Sequence, residues 1–246
     1  MNKEKIILIF AIVLLFVINY SFLDNLVITF LDEQEYFEVE RVIDGDTIVV
    51  GNESVRLLGI NSPEKGEKYY EEAKVLLEGL ISNKSIRLEY GIPKYDLYQR
   101  TLAFVFISNT NINIELVHWG LANVYILDNK KYEKELRDAW EECLEKNINL
   151  CEKSEDVCAE CIIVGSFEGQ TVIFENICDY NCSLVNWEIK DEGRKKFVFE
   201  NIVLSAGEIV DITAEDFEEE YVWTDTGDTL FLRDAEGKLV LWELYN

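Results

Sequence analysis

Residues 41–64 read RVIDGDTIVVGNESVRLLGINSPE, and this stretch decides the fold. Phe37, Val39, Arg41, Val42 and Ile43 lead into Asp44-Gly45-Asp46, and Thr47, Ile48, Val49 and Val50 continue beyond it. β-Branched side chains crowd a helix but suit a pleated surface, and Asp-Gly tolerates the backbone angles of a tight connection, so the pattern predicts a hairpin. A third strand over 54–58 ends at Gly59. The turn Ile60-Asn61-Ser62-Pro63-Glu64 follows, stiffened by one of only two prolines in the chain.

Outward from this stretch, Ala73, Leu76, Leu77 and Leu80 recur at helical spacing and predict a helix over 71–81. Two more strands are expected over 85–90 and 101–107, a short helix over 114–119 stopped by Gly120, and a longer helix over 131–145. Five strands with helices between and after them predict a small closed barrel of OB type. From about Cys158 the chain reads as seven short strands, over 162–167, 170–175, 184–190, 195–199, 208–213, 229–233 and 238–242. That pattern predicts an antiparallel β-sandwich. The fold class is therefore α+β followed by all-β, with boundaries at 36–150 and 151–246.

Residues 1–35 form a separate segment. Lys3 and Lys5 precede an apolar run over residues 6–23, and Asp24 and Asp32 follow it. Such a run predicts a membrane helix acting as a signal anchor, or a signal peptide, with an acidic linker behind it. The flanking charges place the remainder outside the cell, at the cell membrane or secreted if the segment is cleaved.

Acidic residues number 48 against 23 basic ones, for a net charge of −25, and residues 151–246 alone carry 23 acidic against 7 basic side chains. Loose, non-specific binding of a polyanion is excluded by that field, so any phosphate chemistry has to be local. Three places could supply it. Asp44 and Asp46 flank a glycine, which makes either a plain hairpin turn or a pair of hard oxygen ligands suited to calcium. Arg56 is followed by the Pro-fixed turn with Asn61, Ser62 and Glu64. The loop Lys94-Tyr95-Asp96-Leu97-Tyr98-Gln99-Arg100 delivers a guanidinium at the mouth of the next strand. Lys65, Lys68, Tyr69 and Tyr70 either hold substrate or form a solvated loop entering the helix. His118, the lone histidine, sits beside Trp119 away from these motifs and reads as a surface or packing residue. The acidic run at Asp211, Glu215, Asp216, Glu218, Glu219 and Glu220 reads as a solvated loop, with a second calcium site as the sharper alternative.

Taken together, Val42 to Thr47, Val55 to Glu64, Asp96 through Tyr98 to Arg100 with Leu102-Ala103, and Glu115-Leu116-Val117 to Gly120-Leu121-Ala122 resemble the staphylococcal nuclease-like (thermonuclease) family. The resemblance spans about 110 residues. It implies an OB-type barrel with three helices and calcium-dependent hydrolysis of phosphodiester bonds in DNA and RNA, leaving 3′-phosphates. By motif, Arg56, Glu64 and Arg100 match the catalytic trio, Asp46 a calcium ligand, and Ser62 the residue giving a backbone carbonyl to the ion. Asn61 departs from the family pattern, which has an aspartate there as second carboxylate ligand. The chemistry agrees: Glu64 is placed to orient or deprotonate water, and two arginines can each donate paired N–H bonds to phosphate oxygens. Tyr98, Lys68 and Tyr69 are the candidate substrate contacts. The alternative is a catalytically silent barrel that binds nucleic acid or protein.

Ser183 to Asp191 (SLVNWEIKD) and Gly227 to Gly237 (GDTLFLRDAEG) resemble the lamin-tail domain, an immunoglobulin-like sandwich usually appended to enzymes for positioning, here with an unknown surface partner. The six cysteines, Cys143, Cys151, Cys158, Cys161, Cys178 and Cys182, read either as disulfides, favoured in an exported chain, or in part as a four-thiolate zinc site. Cys143 with Cys151 is the first pair expected.

Overall fold

A computed structural model describes Lys3, Lys5, Ile9 and residues 35–126, 130–224 and 228–245. The chain divides into two compact units, Met1–Tyr36 and Phe37–Asn246. The expected membrane helix over residues 6–23 lies, apart from Ile9, outside the described residues. No helix among the described residues is long and apolar enough to cross a membrane.

The hairpin forms where its residues ask for it. Strand β1 (Tyr36–Glu38) is followed by β2 (Arg41–Asp44) and β3 (Thr47–Val50), and the last two pair antiparallel with a bulge between Val42 and Asp44. Gly45 is required at the turn by close approach: a Cβ there would stand 2.6 Å from the Cβ of Ala73 and 2.7 Å from that of Ser62. Next come β4 (Glu53–Leu57), β5 (Ile60–Asn61), helix α1 (Tyr70–Ile81), β6 (Ser85–Tyr95) and β7 (Thr101–Ile107). Then follow β8 (Thr110–Asn111), α2 (Ile112–His118), β9 (Asn123–Val124) and α3 (Glu133–Lys146).

The sheet order is β1-β6-β7-β4-β3-β2, with β8 on β7 and a separate β5–β9 pair. Strand β4 runs antiparallel to β3 but parallel to β7, which curls the sheet into a half-barrel consistent with an OB-type fold. The strand expected from Phe37 and Val39 through Ile43 is divided into β1 and β2, and beyond the five expected strands the sheet recruits Thr110–Asn111, a segment too short for a periodic signal. The core explains the helices. Ala73, Leu77 and Ile81 recur every four residues on α1 and are buried, as are Leu136, Ala139, Trp140 and Cys143 on α3. They meet Ile48, Val55, Leu57, Ile86 and Phe104 from the sheet.

The C-terminal region is β-rich and every named strand pair in it is antiparallel. Strands β10 (Ile162–Glu168), β11 (Thr171–Asn176) and β16 (Ile209–Thr213) make one sheet. The other has the order β14 (Lys196–Val198), β13 (Glu188–Lys190), β17 (Asp228–Arg233), β18 (Leu239–Tyr245). A small pair joins β12 (Cys182–Ser183) to β15 (Val203–Leu204). The strand expected over 184–190 is interrupted, because Asn186 adopts φ 63° and turns the chain before β13. Trp187, Phe174, Phe199, Leu230 and Leu232 fill this region's own core.

The two β regions share apolar surface: Phe231 and Leu239 belong to the barrel's core, and Trp140 meets Phe231 edge-on at 5.6 Å and Trp242 at 6.4 Å. The six cysteines form three disulfides, Cys143–Cys151, Cys158–Cys182 and Cys161–Cys178, and none is free. The zinc alternative is thereby replaced by disulfide pairing, since a bridged sulfur has no thiolate to offer a metal.

Candidate active site

Asp46 closes the β2–β3 turn and is 1 % exposed. Its Oδ2 accepts the Ser62 N–H at 2.8 Å and lies 3.2 Å from Arg56 Nη2, while Oδ1 accepts the Thr47 hydroxyl at 3.0 Å. Arg56, on β4 directly opposite Thr47, also donates through Nη2 to Asn61 Oδ1 at 3.0 Å and through Nη1 to the Leu57 carbonyl at 2.8 Å. Asp46, Arg56, Asn61 and Ser62 therefore form one buried network. Burial pushes the Arg56 pKa down, the Asp46 charge opposes that shift, and the charges of Arg100 and Arg194 add to it. Burial and the neighbouring Asp46 carboxylate both raise the Asp44 carboxyl.

Glu64 stands at the surface beyond Pro63. Its carboxylate pairs with Arg194 at 2.7 Å, a partner contributed by the C-terminal region. Arg100 is held by Asp96, whose Oδ2 accepts from Arg100 Nε at 2.6 Å and whose Oδ1 accepts the Arg100 backbone N–H at 2.9 Å. Burial works to raise the Asp96 carboxyl, but the bonds from Arg100 outweigh it and hold the pKa below the usual range. The Arg100 guanidinium lies 5.4 Å from the ring centroid of exposed Tyr98.

Lys68 and Tyr69 are placed elsewhere: Lys68 donates to the Glu236 carbonyl at 2.9 Å, and the Tyr69 hydroxyl lies 3.4 Å from Glu152 Oε2. His118 pairs on the surface with Glu142 at 3.1 Å. The acidic run after Asp211 is exposed at Glu215 and Glu218 to Glu220, and Asp216 caps the Thr213 amide and hydroxyl. Beside the Ser62–Pro63 turn lies a cavity of about 280 Å³ in whose lining Lys190 and Lys196 both meet Glu67.

Among the described residues no group of three or more His, Cys, Asp or Glu is arranged to hold a metal. The oxygen donors nevertheless suit calcium: Asp44 and Asp46 are close enough to repel one another, and the Asn61 amide oxygen and Ser62 carbonyl lie on the same turn. Sequence reasoning missed Arg194, the Glu192-Gly193 backbone and Tyr125. Tyr125 feels the charges of Arg56 and Glu192, and burial raises its pKa. No local pattern marks any of them.

A curled half-barrel carrying a buried carboxylate–guanidinium network defines a class of small OB-type enzymes and binding modules, and comparison with known proteins narrows it. The chain belongs to the Staphylococcal nuclease homologue family, whose match covers residues 54–153. It is 34% identical over 130 residues to the thermonuclease of Staphylococcus intermedius, a match covering 48% of this chain and 77% of that protein. Against the thermonuclease of Staphylococcus hyicus it is 35% identical over 130 residues, covering 48% and 76%. An uncharacterized endonuclease of Haemophilus influenzae is 39% identical over 98 residues, covering 38% of this chain and 54% of the relative. At the level of the family, the protein is a nuclease.

Proposed function

We propose that the protein is a calcium-dependent nuclease hydrolysing phosphodiester bonds of DNA and RNA, acting outside the cell. One observation carries the reading: in a chain of this family, Asp46, Arg56, Asn61 and Ser62 share one buried network at the foot of the turn that presents Glu64. Glu64 orients or deprotonates the attacking water. Arg56 and Arg100 donate N–H bonds to the non-bridging oxygens and stabilise the charge that grows on them in the transition state. Tyr98, beside Arg100, offers an exposed ring to a base or sugar. Asp46, Asn61 and the Ser62 carbonyl would hold calcium, which supplies local positive charge against the phosphate within a chain of net charge −25.

Three disulfides support an oxidising compartment, and residues 6–23 would tether the protein to the membrane with residues 36–150 as the nuclease unit. Residues 151–246 are proposed to be a lamin-tail-like sandwich. The test is hydrolysis of a labelled oligodeoxynucleotide and its RNA counterpart by purified protein. Cleavage is expected with calcium and not in excess chelator, and equal cleavage in chelator would overturn the calcium reading. A well-folded protein that binds the strands but never cuts them would establish the silent module instead. Protease added to intact cells tests location, since degradation of the C-terminal region only after lysis would refute export.

A further inference from the structure

The β13–β14 hairpin ends in a tip, residues 191–195, that reaches onto the barrel. Lys190 pairs with Lys196 at its base, and the Asp191 and Lys195 amides close it, bonding to the Lys195 carbonyl at 3.0 Å and to Asp191 Oδ1 at 2.9 Å. The tip lands on two residues the nuclease reading uses. Asn61 Nδ2 donates to the carbonyl of Gly193 and, at 3.5 Å, to that of Glu192, while Arg194 Nε meets Glu64 Oε1 at 2.7 Å. Beneath them Arg56 is only 6 % exposed and Asp46 1 %. A phosphodiester has to come within hydrogen-bonding distance of that guanidinium, and the tip's contacts to Asn61 and Glu64 stand beside it.

The departure at Asn61 acquires a reason. An amide accepts from Arg56 through its oxygen and donates to Gly193 through its nitrogen, whereas a carboxylate in that place has nothing to donate. Arg194 in turn occupies the carboxylate proposed to act on water. Within the C-terminal region the Glu192 carboxylate accepts from the Thr229 hydroxyl at 3.0 Å, the Glu192 N–H donates to Asp228 at 3.3 Å, and Lys195 donates to the Tyr221 carbonyl, which leaves Gly193 and Arg194 as the end of the tip that bonds to the barrel. Its latch is weak, because an ion pair with both partners about half exposed contributes little.

We propose that Gly193 and Arg194, at the end of this tip, are an intramolecular lid on the nuclease cleft, latched to Asn61 and Glu64, which lifts to admit the substrate strand. The lid rests on the nuclease reading above, and the experiment separates the two. Full-length wild type, Arg194→Glu, Arg194→Ala and Arg194→Lys are compared by hydrolysis of a fluorophore–quencher oligodeoxynucleotide in calcium, by anisotropy of a labelled strand, and by hydrogen exchange of residues 56–64. Arg194→Glu is expected to raise kcat/KM about threefold to tenfold and to speed exchange under the lid, Arg194→Ala to do so less, and Arg194→Lys to stay near wild type. A fall in activity in Arg194→Glu and Arg194→Ala would show that Arg194 works on the substrate and would overturn the lid. Unchanged exchange and activity would overturn it equally. If no form cuts nucleic acid, yet Arg194→Glu exchanges faster and binds the strand more tightly, the lid stands and the nuclease reading falls.

Discussion

Arg56 carries its charge where water barely reaches, and its donors are already shared among Asp46, Asn61 and the Leu57 carbonyl. A lysine cannot reproduce that fork. Arg56→Lys and Glu64→Gln are each expected to lower kcat by about 10²-fold or more, close to 3 kcal/mol, as measured by initial rates on oligodeoxynucleotide. Full activity in either would refute its assigned role. Asn61→Asp adds a carboxylate to the turn and removes the donor that meets Gly193. It is expected to tighten calcium binding measured by titration calorimetry, and a weaker or unchanged affinity would argue against the ligand assignment. These residues were legible because they fall in two segments, Val42 to Thr47 and Val55 to Glu64, that carry the resemblance to the family. Arg194 was not, because it reaches Glu64 from another sheet.

At the scale of elements, the β2–β3 turn is tied to α1 and to the Ser62 turn by a missing side chain. Gly45→Ala would push a methyl group into the Cβ atoms of Ala73 and Ser62, both in well-packed surroundings. A loss of about 1–3 kcal/mol is expected, seen as a lowered Tm, together with reduced activity as Ser62 shifts. An unchanged Tm would mean the turn is looser than its contacts imply.

The β13–β14 hairpin makes a separate prediction about pH. Burial, followed by the charge of Asp228, pushes Asp191 up to about 7 and Glu192 up to about 8, and burial also raises Asp228. Lys190 and Lys195 oppose the shift at Asp191, and Thr229 and Arg137 oppose it at Glu192. With folded pKa values above the unfolded ones, the folded state holds protons that the unfolded chain has released. Stability is therefore fully present below the ordinary carboxylate range and is lost progressively as pH rises from there through about 7 and 8. Glu67 runs the other way: burial works to raise it, but Lys190 holds it below its ordinary value, so its contribution is lost on acidification. Thermal melts from pH 3 to 9 are expected to show the highest Tm at about pH 4 to 5, with a decline toward pH 8. A Tm that rises steadily to pH 9 would refute the buried-carboxyl account.

Across the whole molecule, no cysteine lies within residues 36–142, while the bridges Cys158–Cys182 and Cys161–Cys178 close loops of 24 and 17 positions in the C-terminal region. Each such closure stabilises by about 3 kcal/mol through the unfolded chain. Reduction is expected to abolish hydrogen-exchange protection across β10 to β18 while β2 to β7 retain theirs. Equal loss in both would show that the apolar surface shared through Phe231 and Leu239 makes the unit fully cooperative.

By itself the sequence determined what short-range physics decides: the Asp-Gly hairpin, the Pro-fixed turn, the helical period at Ala73, Leu76, Leu77 and Leu80, and most of the short strands of the C-terminal region. Turn angles and side-chain periods are properties of neighbours in the chain, so they can be read there. Only the tertiary structure decided the partners across distance: which cysteines bridge, that Asn186 breaks a strand, and that Asn61 meets the Glu192 carbonyl 131 positions away. Those contacts exist because two apolar cores pack and bring a hairpin tip over the barrel. No local pattern encodes where one folded surface comes to rest on another.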